Sequence, residues 1–127
     1  MSHDNVLNLP LEILDDVLAE GALIPLGAHE AGWDRPNAKA VLDALAGTDV
    51  AVLGGDVWDA SGTYFKLTYD NWYCVRVSDE PFQLFSRRSR EAAYKFIDGY
   101  REPMDRRTLY ILVFADERQF DALEQVG

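Results

Sequence analysis

A chain of 127 residues with 48% hydrophobic residues and 5 prolines is long enough for one packed domain, residues 1–127, and too apolar for a disordered chain. No basic stretch leads into an apolar one near the start and no apolar run nears the roughly 20 residues of a membrane span, and the one cysteine, Cys74, leaves no internal disulfide and suits a reducing cytoplasm. The net charge of −10 is uneven: residues 1–80 hold 14 acidic and 4 basic groups, whereas residues 81–127 hold 8 of each, which argues against nucleic acid and anionic membranes as direct partners and for a cationic protein surface.

Asn8-Leu9-Pro10 predicts the start of a first helix, with Leu11, Leu14, Val17 and Leu18 as its apolar stripe and Gly21 as its end. A connection over 22–33 contains His29 and Trp33. Asp34-Arg35-Pro36 then opens a second helix with Val41, Leu42 and Leu45 on its buried side, stopped at Gly47. Val50 to Leu53 is a short apolar strand that Gly54-Gly55 ends or bulges. Asp59-Ala60-Ser61-Gly62 reads as a hairpin turn. Beyond it Phe65, Leu67, Tyr73, Val75 and Val77 fall on odd positions and Thr68, Asp70, Trp72, Cys74 and Arg76 on even ones. Such a period of two buries one face and leaves the other at least partly open, with Asp70-Asn71 as a bulge or a break.

Ser78-Asp79-Glu80-Pro81 predicts the start of a third helix that buries Phe82, Phe85, Ala92, Phe96 and Tyr100 and carries Arg87, Arg88, Arg90 and Lys95 on its other side. Leu109 to Phe114 is the most apolar run and reads as a central strand; Asp116 caps a last helix containing Phe120 and Leu123. The expected fold is α+β, in the order ααβββαβα, a small mixed sheet packed with helices.

Templates for catalysis find little support. His3 and His29 have no ligand partner at metal-site spacing, so no metal and no cofactor is expected. A small hydrolase using Asp56, Asp59 or Cys74 is one alternative, with Asp70 as a third carboxylate near the hairpin. A generic α+β binding or scaffold domain is another. Binding without catalysis accounts for the same residues more simply: Trp58 and Trp72 are large rigid anchors among Asp56, Asp59 and Asp70.

Gly54-Gly55-Asp56 at a strand end, Trp58, and Tyr69-Asp70-Asn71-Trp72-Tyr73-Cys74 together resemble the immunity protein 40 family over about residues 35–100. The resemblance implies an α+β protein, not an enzyme, that binds and neutralises a cognate bacterial polymorphic toxin encoded beside it; the acidic charge of the chain makes a basic, nuclease-like toxin the candidate partner. Gly54, Gly55, Asp56, Asn71 and Trp72 are its structural motif, and Asp56, Trp58, Asp59, Asp70 and Trp72 the expected partner-binding residues. Val75 departs from the pattern, standing where an acid is expected.

Overall fold

The computed structural model describes residues 24–25, 31–61 and 66–126. Two short strands, β1 (Ile24–Pro25) and β2 (Ala31–Gly32), pair with each other. Helix α1 (Arg35–Leu45) follows, then strands β3 (Ala51–Asp59) and β4 (Lys66–Tyr73), helix α2 (Phe82–Gly99), strand β5 (Thr108–Ala115) and helix α3 (Glu117–Val126). The fold is α+β. The expected helix over 8–21, both histidines, Phe65 and the tip of the hairpin lie outside the described residues.

The main sheet runs β4-β3-β5, and both its pairings are antiparallel. The sheet is therefore not mixed. β4 and β5 each oppose β3, so they run parallel to one another with β3 between them, and α2 is the crossover that joins them. The centre of the sheet is β3, not the more apolar β5. The edge of β5 away from β3 instead receives Trp33, whose backbone N–H donates to the Tyr110 carbonyl at 3.0 Å while Tyr110 N–H donates to the Trp33 carbonyl at 2.7 Å. Residues 50–53 do not form a separate strand. β3 continues through both glycines to Asp59, with a register shift against β5 between Val52 and Gly54.

That shift leaves backbone groups out of the ladder, and α2 supplies the repair. Val52 N–H donates to the hydroxyl of buried Ser89 at 2.9 Å, and Ser89 in turn donates to the Ser86 carbonyl at 2.8 Å. Ser89 and Ala93 thus occupy the buried stripe of α2, with Phe82, Phe85, Ser86 and Ile97; Ala92, expected inside, is only partly covered. The helix also starts later than its capping sequence suggested. Ser78 and Asp79 form a turn, Asp79 at φ 68°, and Glu80 N–H donates to the Val77 carbonyl, so Pro81 stands at the cap position.

α1 begins as its sequence dictates: the Asp34 carboxylate accepts from Asn37 N–H at 3.1 Å, and proline occupies the first turn. Its buried residues Ala38, Val41, Leu42 and Leu45 join Val52, Val57, Ala93, Ile97, Tyr110, Leu112 and Phe114 in the principal core. Each fully buried valine or leucine contributes about 1.5–3 kcal/mol there. Arg35 clasps the far end of α2, donating to the carbonyls of Ile97 (3.0 Å) and Tyr100, which are among the groups a helix end leaves unpaired. α3 is capped reciprocally by Asp116 and Gln119, each side chain accepting from the other's backbone N–H at 2.8–2.9 Å. Its Phe120 packs on Phe82 and Phe85 with ring centroids 5.7 and 5.4 Å apart.

Candidate functional site

The two glycines of β3 exist for two close approaches. A Cβ on Gly54 would lie under 3.0 Å from the Trp72 carbonyl and the Tyr73 Cα. One on Gly55 would lie under 3.0 Å from the Ile111 carbonyl and the rim of the Trp72 indole. Gly55 and Trp72 are direct cross-strand partners. The missing side chain lets the indole lie down over β3 and stack on Phe96, centroids 4.5 Å apart and planes 25° apart. Trp72 therefore belongs to the helix-covered, inner side of the sheet.

This fixes the direction of its neighbours at the end of β4 and in the segment 74–77 that continues it. Trp72 packs toward Phe96, Cys74 packs with Phe82 and Phe85, and the Arg76 guanidinium sits over the Phe82 and Phe120 rings at 5.5 and 5.6 Å. The even positions turn inward. Tyr73, Val75 and Val77 turn out to solvent, at 76%, 65% and 60% exposure, a high value for three apolar side chains in a row. Asp70-Asn71 does not break the strand; Asn71 pairs with Asp56, and Asp70 belongs to a bulge. Three residues, Thr68, Tyr69 and Asp70, oppose the single Val57, so β4 bulges there. Tyr69, at the bulge, takes φ 72° and is 79% exposed.

Asp56 pairs with Asn71 on one side and Ile111 on the other. It lies between inward Gly55 and Val57, so its half-buried carboxylate belongs to the outer side. There Leu53, Gly54, Asp56, Asn71, Tyr73 and Val113, together with Gly55 and Trp72, line an open depression of about 330 Å³. Among the described residues Asp56 has no cationic partner within 4 Å.

The remaining sequence-predicted residues are spread apart. Asp59 and Val57 share the inner side, opposite Thr108 and Tyr110. Asp59 accepts from Ser61 N–H at 2.9 Å and lies 3.9 Å from Arg106; the Ser61 bonds hold its carboxyl below the usual range. Asp70 accepts from the Tyr100 hydroxyl at 2.5 Å. Burial first, then this carboxylate, pushes the Tyr100 hydroxyl up. Trp58 is half-buried, and its indole N–H, like those of Trp33 and Trp72, is buried with no hydrogen-bond acceptor among the described residues. The structure thus places Asp56 on the opposite side of the sheet from Asp59 and Asp70, which gives the hydrolase alternative no carboxylate pair that includes Asp56.

Cys74 lies 3.3 Å from Arg88 Nη1, and the same guanidinium donates to the Val75 carbonyl (2.7 Å) and to both oxygens of Glu80 (2.8 and 2.9 Å). Arg88 holds the Glu80 carboxyl down at about 2, helped by the Val77 N–H that donates to it. One residue of the basic stripe on α2 therefore pins the 74–80 segment to the helix. Arg90 is also engaged, donating to the Thr48 and Val50 carbonyls. Among the described residues no three His, Cys, Asp or Glu side chains gather as a metal site. No helix among the described residues is long and apolar enough to cross a membrane.

An α+β scaffold whose motif glycines seat an aromatic core, and whose outer edge shows tyrosine, valine and carboxylate, has the makings of a protein-recognition surface. The profile of the family described as Immunity protein 40 matches residues 22–114. The chain belongs to that family and is an immunity protein, whose partner is a cognate toxin. No curated protein and no solved structure matches it. The match extends well beyond the motif on both sides, from β1 to the penultimate residue of β5. The sequence signal missed the outward stripe Tyr73-Val75-Val77, because alternation reports that two faces differ and not which one a partner covers.

Proposed function

We propose that this protein acts in the cytoplasm of the toxin-producing cell, binding its toxin one to one and covering the toxin's active site without making or breaking a covalent bond. Membership of the immunity protein 40 family carries the reading. The charge of the chain supports its electrostatic part: with a net −10, attraction speeds the encounter with a cationic surface such as that of a nuclease. In this reading Asp56 contacts the toxin directly. Asp59 and Asp70, already held by Ser61 and Tyr100, add to the field around it, Trp58 stands on the same side of β3 as Asp56, and Trp72 shapes the surface from beneath.

Co-expression tests this. Cells producing the toxin domain encoded beside this gene survive when this protein is also made, and the two co-purify as a complex that weakens as salt rises from ~0.05 to ~0.5 M. Death of the co-expressing cells, with no complex recovered, overturns the proposal.

A further inference from the structure

The face on which the toxin docks can be narrowed, given the reading above. We infer that the toxin inserts a lysine or arginine side chain into the depression over Gly54, with Asp56 as its counter-ion and the Tyr73 ring as its wall, and packs apolar surface on Tyr73, Val75 and Val113.

Three independent features converge there. The first is exposed apolar surface with no structural reason to be outside. The segment 72–76 satisfies its packing needs with Trp72, Cys74 and Arg76, so Tyr73 at 76% and Val75 at 65% exposure add nothing to the core. Val113 of β5, the cross-strand partner of Gly54, extends the apolar strip to the far side of the glycine at 38% exposure. The second is shape: Gly54 has no side chain between Tyr73 and Val113, and the resulting hollow of about 330 Å³ has room for a long side chain. The third is charge, since Asp56 lines the hollow and has no ion pair among the described residues. A carboxylate beside an aromatic wall selects a cation, through an ion pair at one end and a cation–π contact along the stem. Lysine and arginine also carry apolar stems that suit valine. The basic stripe of α2 does not compete as a docking face, because Arg88 and Arg90 are spent on Glu80 and on backbone carbonyls.

The test is calorimetric titration of the purified protein with an active-site-inactivated form of the toxin domain encoded by the neighbouring gene. Three variants are compared with the parent: Tyr73→Ala, Asp56→Asn, and Arg87→Ala on exposed helical surface as a control. Circular dichroism and thermal midpoints establish that each is folded. Tyr73→Ala raises Kd by about thirty-fold or more, and Asp56→Asn raises Kd at low salt and flattens its dependence on salt. Arg87→Ala changes neither. Parental affinity in both Tyr73→Ala and Asp56→Asn overturns the docking face and leaves the immunity function standing. No binding by the parent itself overturns both. A parental dimer that Tyr73→Ala converts to monomer, with toxin affinity unchanged, assigns the face to a second copy of this chain and also overturns the inference.

Discussion

At the scale of single residues, the two motif glycines have different neighbours but one consequence. Gly55→Ala forces a methyl group against the Ile111 carbonyl and the Trp72 ring, and neither backbone nor a stacked indole yields easily. We expect a loss of about 1–3 kcal/mol, the usual cost of overpacking, read as a lower urea midpoint with an unchanged slope. Glu80 supplies a second residue-scale prediction. Its folded carboxyl titrates near 2 against an ordinary 4.5, because Arg88 first, and then the Val77 N–H, favour the ionised form. A depressed carboxylate stabilises fully above its unfolded value, and that stabilisation fades as pH falls from ~4.5 toward ~2. The stability difference between parent and Glu80→Gln is therefore constant above about pH 5.5 and shrinks through the acid range. A difference that stays constant down to pH 2.5 would show that the Arg88 contact does not distinguish the two protonation states. Much at this scale was legible beforehand. Asp34 and Asp116 announced their helices by residue type and position, and both side chains cap as written. The pairing of Glu80 with Arg88 was not legible, since it joins a turn to a helix through an orientation that spacing alone does not determine.

Strand β4 is the element on which structure and function part company. Its inner residues hold the fold, and its outer ones are available. Trp72→Ala removes an indole stacked on Phe96 and should cost about 3–5 kcal/mol. Tyr73→Ala, one residue along, removes a ring that solvent already surrounds and should stay within about 0.5 kcal/mol of the parent. Thermal or chemical unfolding of the two variants side by side checks this directly; equal losses would mean that Tyr73 also belongs to the core. The sequence displayed the period of two over residues 65–77 but not its direction. Counting apolar residues favours the odd set, which has six of them against Trp72 and Cys74. What decides the matter is a residue with no side chain on another strand: Gly55 opens room for the indole, and the register then turns every even residue inward. Cross-strand information of this kind is absent from any one segment read alone. The same blindness applies to β5. Its apolar run looks central because its residues are buried at almost every position, yet the sheet places β3 in the middle and closes the edge of β5 with Trp33. Helix α2 was placed by its apolar spacing, while the burial of Ser89 answers a need for a hydrogen bond that only the bulge in β3 creates.

At the scale of the molecule, a family membership, an acidic chain and an outward apolar edge describe a protein that meets another protein. The polymorphic-toxin resemblance carried by the Gly-Gly-Asp and Asp-Asn-Trp-Tyr-Cys segments was readable from the chain. Which of those residues support the fold and which face outward was not, because one motif contributes to both sides of one sheet. The electrostatic part of the account predicts an on-rate for the toxin that falls as ionic strength rises and, at any one ionic strength, falls further when Asp56, Asp59 and Asp70 are all asparagine. Stopped-flow association across a salt series reads both effects, and an on-rate indifferent to salt and to those substitutions removes electrostatic steering. The central claim is broader than steering: protection comes from occupancy and not from turnover. Titrating a fixed amount of active toxin domain with this protein, and following residual toxin activity over time, tests it most directly. The account predicts that activity falls linearly to zero at one equivalent and that the end point does not drift with incubation. Complete loss of activity at a small fraction of an equivalent, deepening with time, would reveal an enzyme acting on the toxin and contradict it.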